Sequence, residues 1–289
     1  DARFSCVVLG EQSLLIQCCE ALLARGHEVR AVVAENRRIV QWCEQQGVPC
    51  FDDFAALRDA PQAAAFDYLL SITNLRMLPD WLLSRPSNLA INFHDGPLPR
   101  YAGLNAPVWA LINGESEYGI TWHEMATGAD KGPILVNRQF QIAADETVFG
   151  LNAQCYQAGL AAFTELVERL EGGRLAPQQQ DFGLRTYFGL SKRPPAAAAL
   201  DWQQPAAALE KIVRALDFGR YPNPVILPKV DLGAELLLAR MAELVPPEGH
   251  GAPGTIQAFC AKTLTVRCAE GAIKLLRLTD LRGEAVDVS

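Results

Sequence analysis

The chain has 289 residues, of which 49% are apolar and 20% charged, and its formal net charge at pH 7 is −7. The composition is ordinary for a globular protein, and the length favours two domains. The acidic balance, with a pI near 5.2, argues against a nucleic-acid partner, because such binding depends on clustered Lys and Arg. Neither a long apolar run nor a signal-peptide pattern is seen, so no membrane association is expected.

The eight cysteines lie mostly within apolar patterns, and no two of them form a Cys-x-x-Cys pair. This spacing argues against a zinc site or a redox motif, and no other cluster of side chains predicts a metal. Reduced, buried thiols are the expectation, which is typical of a cytoplasmic protein.

The first half of the sequence alternates apolar strands with helices. Strands are predicted at 4–9, 28–33, 48–50, 67–71 and 89–91, and helices at 13–25, 36–46 and 79–84. This alternation predicts an α/β fold with a doubly wound, Rossmann-like parallel sheet. Gly10 follows the first strand without the further glycines of a dinucleotide fingerprint, so a nicotinamide cofactor is not predicted.

The rest of the sequence no longer alternates strands and helices regularly. A helix at 105–112, a strand pair at 118–125 and 134–142 and a helix at 147–170 precede a Pro- and Gln-rich linker. A helix at 206–216 and short strands at 224–227, 235–239, 254–256, 264–268 and 273–276 then predict a smaller, OB-like β-barrel. The predicted domains are a catalytic domain at 1–185, a linker at 186–200 and the OB-like domain at 201–289.

The candidate site begins at the end of the strand that opens with Leu89. Asn92 and His94 share one face of this strand, and the prolines that follow cannot continue a ladder. Ligands of open α/β sheets bind at such strand ends. Further on, Asp130 lies in a glycine-flanked turn. An amide can donate to an oxyanion, an imidazole titrates near neutrality, and a carboxylate can orient it.

The order of short motifs around this site points to a known family. Asn-x-His is followed by Leu-Pro-Arg-Tyr-x-Gly at 98–103, Gly-Glu at 114–115, Gly-Ile-Thr at 119–121, Met125 and Asp-x-Gly at 130–132. The string resembles the folate-dependent N-formyltransferase family. An Asp-Trp at 201–202, before a helix, is similar to the start of the C-terminal domain of methionyl-tRNA formyltransferases.

The resemblance implies 10-formyltetrahydrofolate as co-substrate and assigns roles to particular residues. Asn92, His94 and Asp130 are the implied catalytic residues. The implied cofactor-binding residues are Arg76, Met77, Leu78 and Gly128, the first three in the loop that holds the pteridine ring in this family. Met and Leu side chains suit a flat aromatic ring, although Met77 and Leu78 have the alternative of capping the core.

The sequence departs from the family beside the histidine. Asp95-Gly96 stands where many members have Pro-Ser, and a carboxylate there can bind the ammonium group of the acceptor or raise the histidine pKa. His123 lies in a strand without ligand spacing and is interpreted as structural or as a residue near the acceptor.

The identity of the amine acceptor is predicted from two loops. Methionyl-tRNA formyltransferases carry a basic insertion after the second strand, whereas here the segment 34–38 passes directly into a helix. The loop 96–105 is most similar to formylation domains of nonribosomal peptide and polyketide synthetases, and the chain ends resemble those of an excised domain. The prediction is formyl transfer to an aminoacyl group on a carrier protein. A nucleotide amino sugar, methionyl-tRNA, water (a hydrolase) and a non-catalytic folate-binding module are the alternatives.

Overall fold

The computed structural model describes residues 2–233 and 235–288. The strands and helices of the first half alternate as the sequence predicts. In chain order they are β1 (Ser5–Leu9), α1 (Ser13–Ala24), β2 (Glu28–Val33), α2 (Arg37–Gln46), β3 (Cys50–Phe51), α3 (Phe54–Arg58), β4 (Tyr68–Ile72), α4 (Asp80–Leu83), β5 (Leu89–His94), β6 (Ala102–Gly103), α5 (Ala106–Asn113), β7 (Glu117–Glu124), β8 (Ile134–Gln141) and α6 (Val148–Glu171).

Seven of these strands form one sheet in the order β3-β2-β1-β4-β5-β7-β8. The pairs from β3 to β5 are parallel, and β7 joins β5 in the antiparallel sense. The predicted Rossmann-like α/β sheet is therefore confirmed in its parallel part. Because β4 and β5 run in register from Tyr68 opposite Leu89 to Ile72 opposite Phe93, the loops that follow them lie at the same edge of the sheet.

The core of this sheet forms because its central strands are apolar on both faces. All five residues of β4 are buried, and four of the five residues of β1 are buried. A cluster that includes Val7, Leu9, Leu69 and Ala90 packs on one side of the sheet. Such continuous burial is typical of parallel strands covered by helices on both faces, and it fixes the strand ends that carry the polar residues.

Helix α2 shows how directly β2 connects to the next element. The side chain of Asn36 accepts a hydrogen bond from the Arg38 N–H at 3.0 Å, which caps the helix, and Gly47 ends it with φ of +68°. Only residues 34–36 separate β2 from α2. The predicted absence of an insertion at this point is thus seen in the structure.

The described residues divide into two compact units. The first contains residues 1–103, 118–140 and 154–187, and the second contains residues 104–117, 141–153 and 188–289. The boundaries predicted from the sequence, near 185 and 200, stay a prediction. The second unit is therefore built from three chain segments, two of which lie before the C-terminal part.

The C-terminal part contains one helix and short antiparallel strands. They follow β9 (Tyr187–Phe188) and are α7 (Ala206–Ala215), β10 (Lys229–Asp231), β11 (Leu236–Leu238), β12 (Met241–Val245), β13 (Ile256–Cys260), β14 (Thr263–Arg267) and β15 (Ala272–Leu276). Four strands form an antiparallel sheet in the order β12-β15-β14-β13, and β10 pairs with β11. This sheet is compatible with the OB-like prediction, and closure into a barrel stays a prediction.

The strand predicted at 224–227 is absent from the described structure, and the strand that follows begins at Lys229. The side chain of Asn223 accepts hydrogen bonds from the N–H groups of Val225 and Ile226 at 2.7 and 3.0 Å. Local turn formation thus satisfies the groups that a ladder would need. The sequence analysis also missed β12.

No helix among the described residues is long and apolar enough to cross a membrane.

Candidate active site

Strand β5 places Asn92 and His94 at the carboxyl edge of the sheet, and β7 completes this part of the site. In the antiparallel pairing of β5 with β7, Asn92 lies opposite His123, and His94 lies opposite Thr121. His94 and His123 are buried, with 5% and 2% of their surfaces exposed. The last residues of β5 and the end of β7 thus bring three polar side chains, Asn92, His94 and His123, to one place.

A continuous series of contacts joins Asn92 to Asp130 through His123. The Nδ2 atom of Asn92 lies 3.2 Å from Nε2 of His123, and the same Nε2 lies 3.5 Å from Oδ1 of Asp130. The Nδ1 atom of His123 lies 2.8 Å from the Glu124 carbonyl oxygen, which can only accept, so Nδ1 carries the proton. The other ring nitrogen, Nε2, therefore faces both the Asn92 amide and the Asp130 carboxylate.

His94 has one nitrogen bonded to the backbone and the other directed at carboxylates. Its Nε2 lies 2.7 Å from the carbonyl oxygen of Tyr101, so Nε2 carries a proton and donates it. Its Nδ1 lies 3.8 Å from Oδ1 of Asp130 and 3.9 Å from Oδ1 of Asp95. Both distances exceed a hydrogen bond, so Nδ1 is the nitrogen that a substrate atom can approach.

Asp130 lies in a turn with a left-handed backbone, at φ of +52°. The Gly103 N–H donates to its Oδ2 at 2.8 Å, and Gln180 and Arg185 donate to its carbonyl oxygen at 2.9 and 3.0 Å. Burial by itself raises the pKa of Asp130. His94, His123 and the Gly103 N–H outweigh burial and hold this pKa well below its usual range, so Asp130 is an anion at neutral pH.

The loop after His94 is fixed by hydrogen bonds from β7. Tyr118 Oη donates to the Asp95 carbonyl oxygen at 2.8 Å, and Thr121 Oγ1 donates to the Gly96 carbonyl at 2.8 Å while it accepts from the Leu98 N–H at 3.1 Å. A Cβ atom at Gly96 would lie 2.7 Å from Nε2 of His94, where no room exists. Gly96 thus leaves the space that the bond from His94 to the Tyr101 carbonyl oxygen needs.

The loop after β4 contains three of the predicted cofactor-binding residues, and the structure treats their side chains differently. Met77 is 85% exposed, and its neighbour Leu75 is 82% exposed. Leu78 is partly buried against the core. The Arg76 guanidinium donates to the Asp52 carbonyl oxygen at 2.9 Å and pairs with Glu11 at 3.2 Å.

The structure brings together some of the predicted site residues and not others. Asn92, His94 and Asp130 lie within one contact network, while the Arg76 side chain is bound to Glu11 and the Asp52 carbonyl. Gly128 is exposed, in the turn before Asp130, with φ of +93°. Among the described residues no cluster could hold a metal ion.

The sequence reasoning missed the importance of His123 and Gly96. His123 becomes part of the network only because β7 pairs with β5, and the pairing of strands so distant in sequence gives no local signal. Gly96 had a weak signal, since it replaces a residue with a side chain beside the histidine.

Comparison with known proteins agrees with this fold. The sequence profile of the family "Formyl transferase" matches residues 52–167, and that of "Formyl transferase, C-terminal domain" matches residues 193–289. A methionyl-tRNA formyltransferase of Ectopseudomonas mendocina is 32% identical over 289 residues, which cover 94% of this chain and 88% of the relative. One of Pelobacter propionicus is 29% identical and is covered to 88%.

Two solved structures share the fold. The N-formyltransferase from Helicobacter canadensis, in complex with folinic acid and dTDP-3-aminofucose, superposes with a TM-score of 0.72 at 16% identity, covering 96% of this chain and all of that chain. HypX from Aquifex aeolicus, in complex with tetrahydrofolic acid, gives 0.69 at 18% identity over 97% of this chain. This chain spans 45% of the length of HypX.

The fold and the site therefore define a one-carbon group transferase. The chain belongs to the folate-dependent N-formyltransferase family, and the resemblance noted from the Asn-x-His and Asp-x-Gly motifs is confirmed. It is an enzyme, an N-formyltransferase that uses a formyl-folate as co-substrate.

Proposed function

We propose that Asn92, His94 and Asp130 transfer the formyl group of 10-formyltetrahydrofolate to a primary amine. The observation that carries this proposal is the unbroken series of contacts from Asn92 through His123 and Asp130 to His94. An amide donor, an imidazole and a carboxylate are the groups that acyl transfer between nitrogen atoms needs. When bound, the folate supplies the activated formyl group.

Asn92 stabilises negative charge on the formyl oxygen. Its amide nitrogen lies 3.2 Å from Nε2 of His123, and this contact fixes the plane of the amide group. An N–H of the amide then points in a fixed direction and donates to the formyl oxygen as charge develops there. One such donor typically contributes about 3 kcal/mol to the stabilisation of a transition state.

His94 takes the proton from the attacking amine, and Asp130 supports it. Since Nε2 is held by the Tyr101 carbonyl, Nδ1 is the basic nitrogen, and it faces Asp130 at 3.8 Å. The Asp130 anion stabilises the imidazolium that forms. A separation of 3.8 Å between these groups in the free enzyme is compatible with this role, because catalytic contacts tighten when substrate binds.

The loop after β4 binds the folate ring in this proposal. Met77 lines the slot with its exposed side chain, Leu78 closes its base against the core, and Gly128 lets the Asp130 turn approach the ring. Arg76 contributes by holding the loop through Glu11 and the Asp52 carbonyl, rather than by presenting its guanidinium to the ring.

The acceptor that we propose is an aminoacyl group on a carrier protein of a nonribosomal peptide or polyketide synthetase. Two observations disfavour the tRNA alternative: three residues join β2 to α2 with no basic insertion, and the net charge is −7. Both are unfavourable for a tRNA acceptor. The C-terminal domain, proposed as an OB-like barrel at 201–289 that follows the catalytic domain 1–185 and the linker 186–200, is then available for docking the carrier.

The test is mass spectrometry of a panel of acceptors incubated with the enzyme and 10-formyltetrahydrofolate. The panel contains aminoacyl-loaded carrier protein, methionyl-tRNA, a dTDP-amino sugar and free amino acids. We expect a gain of one formyl group on the carrier-bound amine, abolished by His94→Ala and retained by the exposed control His250→Ala. Formylation of the tRNA or the sugar alone would overturn the acceptor, and formate without a formylated product would show a hydrolase.

A further inference from the structure

A second carboxylate lies beside the basic nitrogen of His94, on the side open to solvent. Oδ1 of Asp95 is 3.9 Å from Nδ1 of His94, almost the same distance as Oδ1 of Asp130. The Asp95 side chain is 32% exposed, whereas that of Asp130 is 12% exposed. Asp95 is therefore the carboxylate that an incoming acceptor meets first.

The two carboxylates differ in what they bind. Asp130 accepts a hydrogen bond from the Gly103 N–H and interacts with both histidines. In the described part of the chain, the Asp95 carboxylate receives no hydrogen bond from another side chain, and its nearest cationic group is the His94 ring. Burial, followed by repulsion from Asp130, raises the pKa of Asp95. A positively charged ligand beside it would relieve this poorly compensated charge.

The backbone of residue 95 is held in position although its carboxylate is open. Tyr118 Oη binds the Asp95 carbonyl oxygen, and Thr121 binds the next carbonyl in the chain, both at 2.8 Å. These bonds come from β7, the same strand that positions His123. The backbone position from which the Asp95 side chain extends is thus set before any substrate binds, which reduces the entropy cost of binding.

We infer that Asp95 binds the ammonium group of the acceptor and places its nitrogen at Nδ1 of His94. This inference rests on the proposed formyl transfer and deepens it, because it makes an α-ammonium acceptor, such as an aminoacyl thioester, a better substrate than an uncharged nucleophile. The ammonium bound at Asp95 first loses one proton to solvent, and the free amine attacks. As the new C–N bond forms, Nδ1 of His94 takes the second proton, which passes to N10 of the folate as the bond from N10 to the formyl carbon breaks.

The test compares a cationic acceptor with a neutral one. The cationic probe is the best substrate among a set of aminoacyl-N-acetylcysteamine thioesters, and the neutral probe is hydroxylamine, which is uncharged at neutral pH. For Asp95→Asn we expect kcat/KM for the thioester to fall about tenfold, mainly through KM, and kcat/KM for hydroxylamine to change less than about twofold. The KM for 10-formyltetrahydrofolate should be unchanged. The exposed Asp59→Asn has the same charge change and should behave as the unmodified enzyme.

The outcomes separate this inference from the function on which it rests. Equal losses for both probes would overturn it, because a residue that only supports the loop or His94 would affect every nucleophile alike. Unchanged kinetics with both probes would also overturn it. If the unmodified enzyme formylates no thioester but does formylate methionyl-tRNA or the amino sugar, the carrier proposal fails and the same comparison is made with that acceptor. If it formylates no amine at all, the proposed function itself fails and the inference with it.

Discussion

Two buried histidines, one at the amino end and one at the carboxyl end of the parallel strands, each face a carboxylate. Their contacts show how a structural histidine differs from a candidate catalytic one. His27 precedes β2 and has both ring nitrogens at hydrogen-bond distance: the Phe4 N–H donates to Nδ1 at 3.3 Å, and Nε2 lies 2.9 Å from Oε1 of Glu171. Its ring also stacks on Phe4, with centroids 3.7 Å apart. His94 ends β5, and its Nδ1 has only carboxylates at 3.8 and 3.9 Å.

The two histidines differ in whether both ring nitrogens have a hydrogen-bond partner, and not in their burial. Both histidines are buried, and both face acids. Around His27 every polar atom of the ring is bound at short range, so the ring contributes packing and hydrogen bonds and leaves no nitrogen for a ligand. At His94 both carboxylates lie beyond hydrogen-bond distance of Nδ1, so this nitrogen has no short partner of its own. His94 lies at the carboxyl end of its strand, which by itself favours it over His27 as a site residue. The contact distances around Nδ1 are an independent reason for the same choice.

The largest expected effect is a loss of catalysis in a His94 variant, and a His27 variant should not share it. His94→Ala should lower kcat by about 10²- to 10⁴-fold because it removes the general base. His27→Ala should leave kcat within about threefold and should instead lower the free energy of unfolding by about 2–4 kcal/mol, since it removes one hydrogen bond to Glu171 and the stacking on the Phe4 ring. Formylation kinetics and urea unfolding of both variants give the two readouts. A large loss of kcat in folded His27→Ala would refute the distinction.

The second prediction concerns the space around His94. Gly96→Ala places a Cβ atom 2.7 Å from Nε2 of His94 and 2.8 Å from the Tyr101 carbonyl oxygen, so the bond between these groups must open. We expect kcat to fall about 10- to 100-fold, with a stability loss of about 1–3 kcal/mol. Gly183→Ala, where the added atom meets only the Asp181 side chain, is the matched control. Full activity in Gly96→Ala would mean that the Nε2 bond does not matter.

The third prediction concerns the loop after β4, which we propose binds the folate. Glu11 accepts the N–H groups of Glu35 and Asn36 and pairs with Arg76, so Glu11→Gln loosens the loop without changing His94. The KM for 10-formyltetrahydrofolate should rise about three- to tenfold while kcat stays within about twofold. The exposed Glu44→Gln serves as control. A fall in kcat with an unchanged KM would assign the loop to chemistry instead of binding.

The smallest effect is a pH dependence of stability at the other edge. The hydrogen bond from Arg25, opposed by burial and assisted by His27, lowers the pKa of Glu171 to about 2. A carboxyl whose pKa is lower in the folded state stabilises the fold above its unfolded pKa, and this contribution is lost as the pH falls from about 4.5 to about 2. Glu171→Gln should therefore show a smaller loss of stability over this range in urea unfolding. The same pH dependence in both proteins would contradict the assignment.

Much of the fold and the central site could be predicted from local sequence. The alternation of apolar strands and helices gave the parallel sheet, because burial on both faces leaves continuous apolar runs such as β4. Asn92, His94 and Asp130 were assigned because the motifs around them resemble those of the N-formyltransferase family. The structure joins the three side chains in one network, and their catalytic roles stay a prediction.

The features that the sequence did not predict depend on contacts between segments distant in sequence, or on local hydrogen bonds that compete with strand formation. Nothing in the residues around His123 reveals that β7 pairs with β5. Arg76 belongs to a loop near the site, yet its guanidinium is bound by Glu11 and the Asp52 carbonyl, which lie far away in sequence. At 224–227 the apolar run predicted a strand, but Asn223 holds its N–H groups in a turn.

The hydrogen bonds that hold the Asp130 turn also limit how far the chain can be shortened. Gln180 and Arg185 bind the Asp130 carbonyl oxygen, and Thr186 Oγ1 accepts from the N–H of Tyr101, whose carbonyl in turn holds His94. A truncation directly after α6 would retain Asn92, His94, His123 and Asp130 but release both ends of their network. Any minimal catalytic fragment engineered for grafting onto another protein must therefore extend to at least residue 186, well past the last catalytic side chain.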